Sequence, residues 1–149
     1  MLRRLGEQHA LQQRCHHVKP PVSDLEKSLA WYSGHLGYFP VMHFVEEGGL
    51  MGVALAHPNG GPGFAIRLNP EKAAAASGFD YFAIGVPGKD ALNALAANLA
   101  ARGVAHDGVM RTRVGWLLSG ITDPDGYDIR FYTVPLEIPE GAGLMVRES

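Results

Sequence analysis

His17, Arg67, Tyr81 and Arg130 are the residues through which this chain of 149 could do chemistry. An imidazole can exchange a proton near neutrality, and a tyrosine hydroxyl can donate a hydrogen bond or a proton to a ligand oxygen. A guanidinium fork suits the paired oxygens of a carboxylate, phenolate or quinone. The four fall in two stretches of similar pattern. Residues 17–24 and 81–88 are apolar-alternating runs that lead into helices, 64 positions apart (81 − 17). Ala65-Ile66-Arg67-Leu68 and Asp128-Ile129-Arg130-Phe131 lie 63 apart (130 − 67). Two ends recurring at nearly one spacing imply duplication of a supersecondary unit, with room for two copies only.

Other residues carry a functional and a bland reading side by side. Tyr132 shares the face of Arg130 and could stack on a flat ligand, and Trp116 could form an aromatic wall, where core packing is the default for a tryptophan in such a run. Arg130 could instead pair with Asp128, two residues away on one strand face, or with Asp80. Alternation sends His16 to the face opposite His17, as a structural histidine. His35, His43, His57 and His106 lack the i, i+4 spacing of two ligands on one helix face and read as surface or structural residues. Asn59-Gly60-Gly61-Pro62-Gly63 reads as a hairpin connection, because no helix follows to make it a phosphate cradle. Cys15, the single cysteine, can form neither an internal disulfide nor a thiolate cluster and reads as a small buried apolar residue.

The elements that must position these residues follow from punctuation and periodicity. A strand at 15–22 feeds a helix that opens at Ser23-Asp24-Leu25-Glu26 as a capping box and stops at Gly37. Strands are expected at 40–46, 50–56 and 64–69. The Ala-rich stretch 70–78 reads as a connector with a helical turn. A second strand at 80–86, a helix carrying Leu92, Leu95 and Leu99 and stopping at Gly103, and strands at 106–112, 115–121 and 127–133 repeat the order. The result is an α+β chain of two βαβββ modules, 14–70 and 79–134, joined by 71–78 into one domain, with tails at 1–13 and 135–149. If helices cover one sheet face, Phe82, Ile84 and Val86 point toward them, while Tyr81, Ala83, Gly85, Gly52, Ala54 and Ala56 point away. A face floored by glycine and alanine leaves room for a small ligand.

With 46% hydrophobic residues, a formal charge of −2 and a pI near 6.4, the chain has the composition of one compact domain and offers no basic field for nucleic acid. No apolar run approaches the ~20 residues of a membrane span, and polar residues interrupt the first thirteen, so a cytoplasmic chain is expected.

His17, Val22-Ser23-Asp24-Leu25-Glu26-Lys27-Ser28-Leu29-Ala30-Trp31-Tyr32 and Leu36-Gly37-Tyr38 resemble the opening of vicinal oxygen chelate proteins, the superfamily of glyoxalase I, extradiol dioxygenases and the fosfomycin and bleomycin resistance proteins. Asp123-Pro124-Asp125-Gly126-Tyr127-Asp128-Ile129-Arg130-Phe131-Tyr132 resembles its final strand, so the likeness spans about residues 14–134. The resemblance implies a half-open, mostly antiparallel barrel around a small-molecule site, often in a homodimer. It also implies that metal-using members draw one ligand, His or Glu, from the first and the last strand of each module. Here those positions read His17, Arg67, Tyr81 and Arg130. Only His17 is a competent ligand, since guanidinium has no free lone pair and neutral tyrosine is a poor donor. The expectation is therefore no metal and no other cofactor, with a flat, oxygen-bearing small molecule held by His17, Arg67, Tyr81, Trp116, Arg130 and Tyr132. Sequestration, as in bleomycin resistance relatives, stands beside metal-independent catalysis as an isomerase, lyase or cyclase, with His17 and Tyr81 moving protons. Metal-dependent glyoxalase or dioxygenase chemistry is the alternative.

Overall fold

The structure, a computed structural model, describes residues 15–80, 82–137 and 140. The chain divides into two compact units, Met1–Ala75 and Ala76–Ser149, called here modules one and two. Tyr81 lies outside the described residues.

Module one contains β1 (His17–Val18), β2 (Pro21–Val22), α1 (Leu25–Leu36), β3 (Phe39–Glu46), β4 (Gly49–Ala56) and β5 (Gly63–Leu68). The expected first strand is broken in two at Lys19-Pro20. Pro20 and Pro21 have no N–H to give, so this segment serves its neighbour through carbonyls: those of His16, Pro20 and Val22 accept from the N–H groups of Gly63, Arg67 and Asn69 at 2.8, 3.1 and 2.9 Å. It therefore lies at a sheet edge, parallel to β5, in the order β1-β5-β4-β3 with β2 also on β5. The α1 cap is Asp24, one residue later than the capping box at Ser23 predicts, and its carboxylate accepts from the Lys27 N–H at 3.0 Å. Gly37, at φ 77°, ends the helix in the left-handed conformation that glycine adopts freely.

The α1 side chains Leu25, Tyr32 and Leu36 are buried, as are Val22, Val53, Leu55, Phe64 and Ile66 of the sheet. Val53 pairs with Ile66 and Leu55 with Phe64. Directly opposed residues share a face, so this is the helix-bearing face. Gly52, Ala54, Ala65 and Arg67 then occupy the other, as alternation predicts.

A short helix α2 (Pro70–Ala76) spans the boundary between the units. Module two contains β6 (Ala83–Val86), α3 (Lys89–Ala101), β7 (Val109–Thr112), β8 (Gly115–Thr122) and β9 (Asp128–Thr133), in the sheet order β6-β9-β8-β7. Leu92, Ala96 and Leu99 of α3 and Leu118, Ile121, Ile129 and Phe131 of the sheet form its core. The turn before β9 is organised by buried Asp123, whose Oδ1 accepts from the N–H groups of Asp125 and Tyr127 at 2.9 and 3.0 Å. Each module thus lays its last strand parallel to its first and antiparallel to the strand before it, the repeated βαβββ order.

Candidate functional site

In module one, β1 and β2 set His17 opposite Gly63 and Pro21 opposite Arg67. His17 and Arg67 share the helix-free face and stand four residues of β5 apart, about 13 Å along the strand. The structure does not bring them together. Arg67 turns instead toward the end of β3, where its two terminal nitrogens donate to the two carboxylate oxygens of Glu46, each at 2.7 Å. The hydrogen-bonded Glu46 carboxylate raises the Arg67 pKa, and Arg67 holds the Glu46 carboxyl below its ordinary value.

His17 is exposed, and its Nδ1 lies 2.9 Å from Nδ1 of His16, with the two rings edge to face. This corrects the expectation that His16 points to the opposite face. His16 precedes β1, so the alternation of the strand does not bind it. Cys15 is exposed rather than buried, its thiol donating to the His17 carbonyl at 3.6 Å.

In module two, Arg130 shares the helix-free face with Tyr132 and pairs internally. Its Nε lies 2.9 Å from Asp80 Oδ2, and its Nε and Nη2 donate to Asp128 Oδ2 at 3.1 and 3.0 Å. The bond to Asp128, with the charge of Asp80 and a bond to the Tyr132 hydroxyl, raises the Arg130 pKa. One guanidinium against two carboxylates leaves this cluster with an excess negative charge.

The matched positions of the duplication also shift. Ala83 is opposite Arg130 and Gly85 opposite Tyr132, while Pro21 is opposite Arg67. Pro21 and Gly85 each stand one residue before the buried valine that closes the first strand, Val22 or Val86. By register the counterpart of Arg67 is therefore Tyr132. The counterpart of Arg130 is Ala65, which falls opposite Lys19 midway between the pairs at Gly63 and Arg67.

Trp116 lies on the other face. Its backbone N–H donates to Thr133 Oγ1 at 2.9 Å, beside the buried Leu118–Phe131 pair, and Lys89 of α3 sets its ammonium 3.9 Å from the indole centroid. The helix-bearing position explains its partial burial and removes it from the face of Arg130 and Tyr132.

A divalent metal at the family's positions would need donors that these side chains lack. Of the positions that the resemblance assigns to ligands, Arg67 and Arg130 carry guanidinium cations without a free lone pair, each already held by carboxylates, and His17 offers one imidazole. Among the described residues no three His, Cys, Asp or Glu side chains cluster to hold an ion. The described positions do not fit the group.

Residues 14–131 match the Glyoxalase/Bleomycin resistance protein/Dioxygenase superfamily, and the chain belongs to this family. Among solved structures it is similar to TnmS3, an antibiotic binding protein from Streptomyces sp. CB03234, at 22% identity and a TM-score of 0.67, over 83% of this chain and 97% of that one. It is similar to lactoylglutathione lyase from Agrobacterium tumefaciens at 14% identity and a TM-score of 0.65, over 83% and 96%. A glyoxylase/bleomycin resistance protein/dioxygenase domain from Frankia sp. EAN1pec shares 20% identity with a TM-score of 0.64, over 81% and 97%. These likenesses establish a shared fold. No curated protein matches the chain. Among the described residues no helix is long and apolar enough to cross a membrane.

Proposed function

We propose that this protein binds a small, flat, oxygen-bearing organic molecule on the helix-free face of its sheets, without a chelated divalent metal, and that it sequesters this molecule rather than transforming it. The observation that carries this reading is the replacement of chelating side chains. At the last-strand positions that the resemblance assigns to ligands, module one has Arg67, paired with Glu46, and module two has Arg130, paired with Asp80 and Asp128. Gly52, Ala54 and Ala65 leave the module-one face low, and Phe44 and Met42 border it with exposed apolar surface. An antibiotic binding protein shares this fold, which supports small-molecule binding as a use of it. Exposed apolar side chains along β3 support a homodimer.

Native mass spectrometry and calorimetry against a panel of aromatic metabolites test the proposal. Binding tighter than roughly millimolar in the presence of chelator is the expected result. Stoichiometric retention of Zn²⁺, Ni²⁺, Mn²⁺ or Fe²⁺ that is lost in His17→Ala would overturn it. A second reading, proton transfer by His17, rests on the Nδ1 contact with His16. It requires a turnover that His17→Ala abolishes while binding persists.

A further inference from the structure

We propose that the helix-free face of module one takes an uncharged planar ring system, stacked on a plate formed by Phe44 and the Arg67–Glu46 ion pair over Gly52. The assignment rests on the small-molecule reading above and narrows it to a ligand class.

Strand register supplies the plate. Phe44 pairs with Gly52, Gly52 with Arg67 and Arg67 with Pro21, so these four form one row across β3, β4, β5 and β2. A Cβ at position 52 would lie 3.5 Å from Phe44 Cδ2 and 3.8 Å from Arg67 Cδ. The ring and the arginine stem therefore flank the backbone of Gly52, close enough that a methyl there would touch both. The adjoining row, Met42, Ala54 and Ala65, stays low in the middle. Phe44 and Met42 keep 41% and 55% of their surface exposed.

Charge then selects the ligand. A free guanidinium fork would grip a carboxylate or sulfonate, but both terminal nitrogens of Arg67 already donate to both oxygens of Glu46. The pair is formally neutral, and an anionic ligand would meet the Glu46 carboxylate beside an occupied fork. The guanidinium keeps its planar faces while its fork is occupied and stands in the same row as the phenyl ring, and a delocalised planar cation stacks well on aromatic systems. A neutral ring buries apolar surface there without competing for the ion pair.

Calorimetric titration of the full chain with anthraquinone carboxamide, anthraquinone sulfonate and a fully saturated tricyclic carboxamide tests this. The planar carboxamide should bind at least about tenfold tighter than the sulfonate, and Phe44→Ala should cost about tenfold, the scale of one aromatic contact. Glu46→Gln frees the guanidinium charge and should bring the sulfonate to parity with the carboxamide or beyond it. Phe44 and Glu46 are both exposed, so neither substitution removes core packing. Preference for the sulfonate in the unaltered chain, or indifference to both substitutions, would overturn the assignment. Binding of the saturated ligand alone would sink the planar class and leave the small-molecule reading standing. No binding by any of the three, together with a blank aromatic panel, would sink both.

Discussion

His57 and His106 make the same two hydrogen bonds at different places in their modules. Each lies within hydrogen-bond distance of a carbonyl of its module's helix through Nε2, Leu36 for His57 and Ala96 for His106, at 3.0 Å in both cases. Each accepts through Nδ1 from the N–H two residues on, Asn59 at 3.1 Å and Gly108 at 3.0 Å. An Nδ1 that accepts leaves the proton on Nε2 to donate to the helix carbonyl. His57 follows β4 and His106 follows α3, so each ties a loop to its helix by one device.

Replacing either histidine by alanine leaves a helix carbonyl and a loop N–H without their partner. His57→Ala and His106→Ala should each lower unfolding free energy by about 1–3 kcal/mol in urea denaturation. Ligand affinity should be unaffected, because neither side chain belongs to the proposed plate.

Gly120 sits at φ 76° in the irregular stretch of β8 between Leu118 and Ile121, and a Cβ there would fall 2.5 Å from Asp107 Oδ2. Gly120→Ala combines a strained backbone with that collision and should destabilise by about 1–3 kcal/mol in the same assay. Asp107→Ala removes the collision but not the strain, so it should rescue only part of the loss.

Tyr127 is buried, and burial, with the charges of Asp125 and Asp123 adding to it, pushes its hydroxyl up to about 12. A folded-state value above the unfolded value of about 10 means that the folded chain holds this proton more tightly. The associated stability is complete below pH ~10 and is lost as pH rises through ~12. Burial also raises the Tyr38 hydroxyl, so alkaline titration of phenolate absorbance should show more than one tyrosine ionising late, and Tyr127→Phe should remove one of them, the component near pH 12.

Asp123 is a further structural polar group open to direct test. Asp123→Ala leaves the N–H groups of Asp125 and Tyr127 without the carboxylate that orders the turn, and should cost about 1–3 kcal/mol. Asp123→Asn keeps an acceptor oxygen and should restore most of it.

The elements and the faces of the sheets were legible because period-two and helical patterns are written directly in residue type. Of Leu25, Leu29, Trp31, Tyr32 and Leu36, whose helical spacing marks the apolar side of α1, the first and the last two are buried and Leu29 and Trp31 half-buried; of Met51, Val53 and Leu55 on the inward side of β4, Val53 and Leu55 are buried and Met51 half-buried. The pairing of Arg130 with Asp80 and Asp128, one of two readings open from sequence, follows from short separation along the chain. The alignment of Arg67 with Arg130 failed for a specific reason. Ile66-Arg67 and Ile129-Arg130 are the same dipeptide with the same inward isoleucine, and a slip of two residues leaves every side chain on its original face. Pattern alone cannot detect such a slip; the pairings of Pro21 with Arg67 and of Gly85 with Tyr132 reveal it. Glu46 was missed as the partner of Arg67 because it lies 21 residues away and two strands across. Trp116 was misplaced because its face depends on register near the start of β8, where a flanking glycine gives no alternation to read.

The prolines of the first strand also decide how module one can grow. Pro20 and Pro21 offer no N–H, and Lys19 beside them adds a charge, so the β2 margin is a poor template for another strand. The opposite margin, β3, is eight residues long and exposed throughout. A sheet that accepts a neighbour on one margin only can pair once and then has no further edge to offer. Any strand-to-strand association through module one would therefore stop at two copies instead of propagating into a fibre.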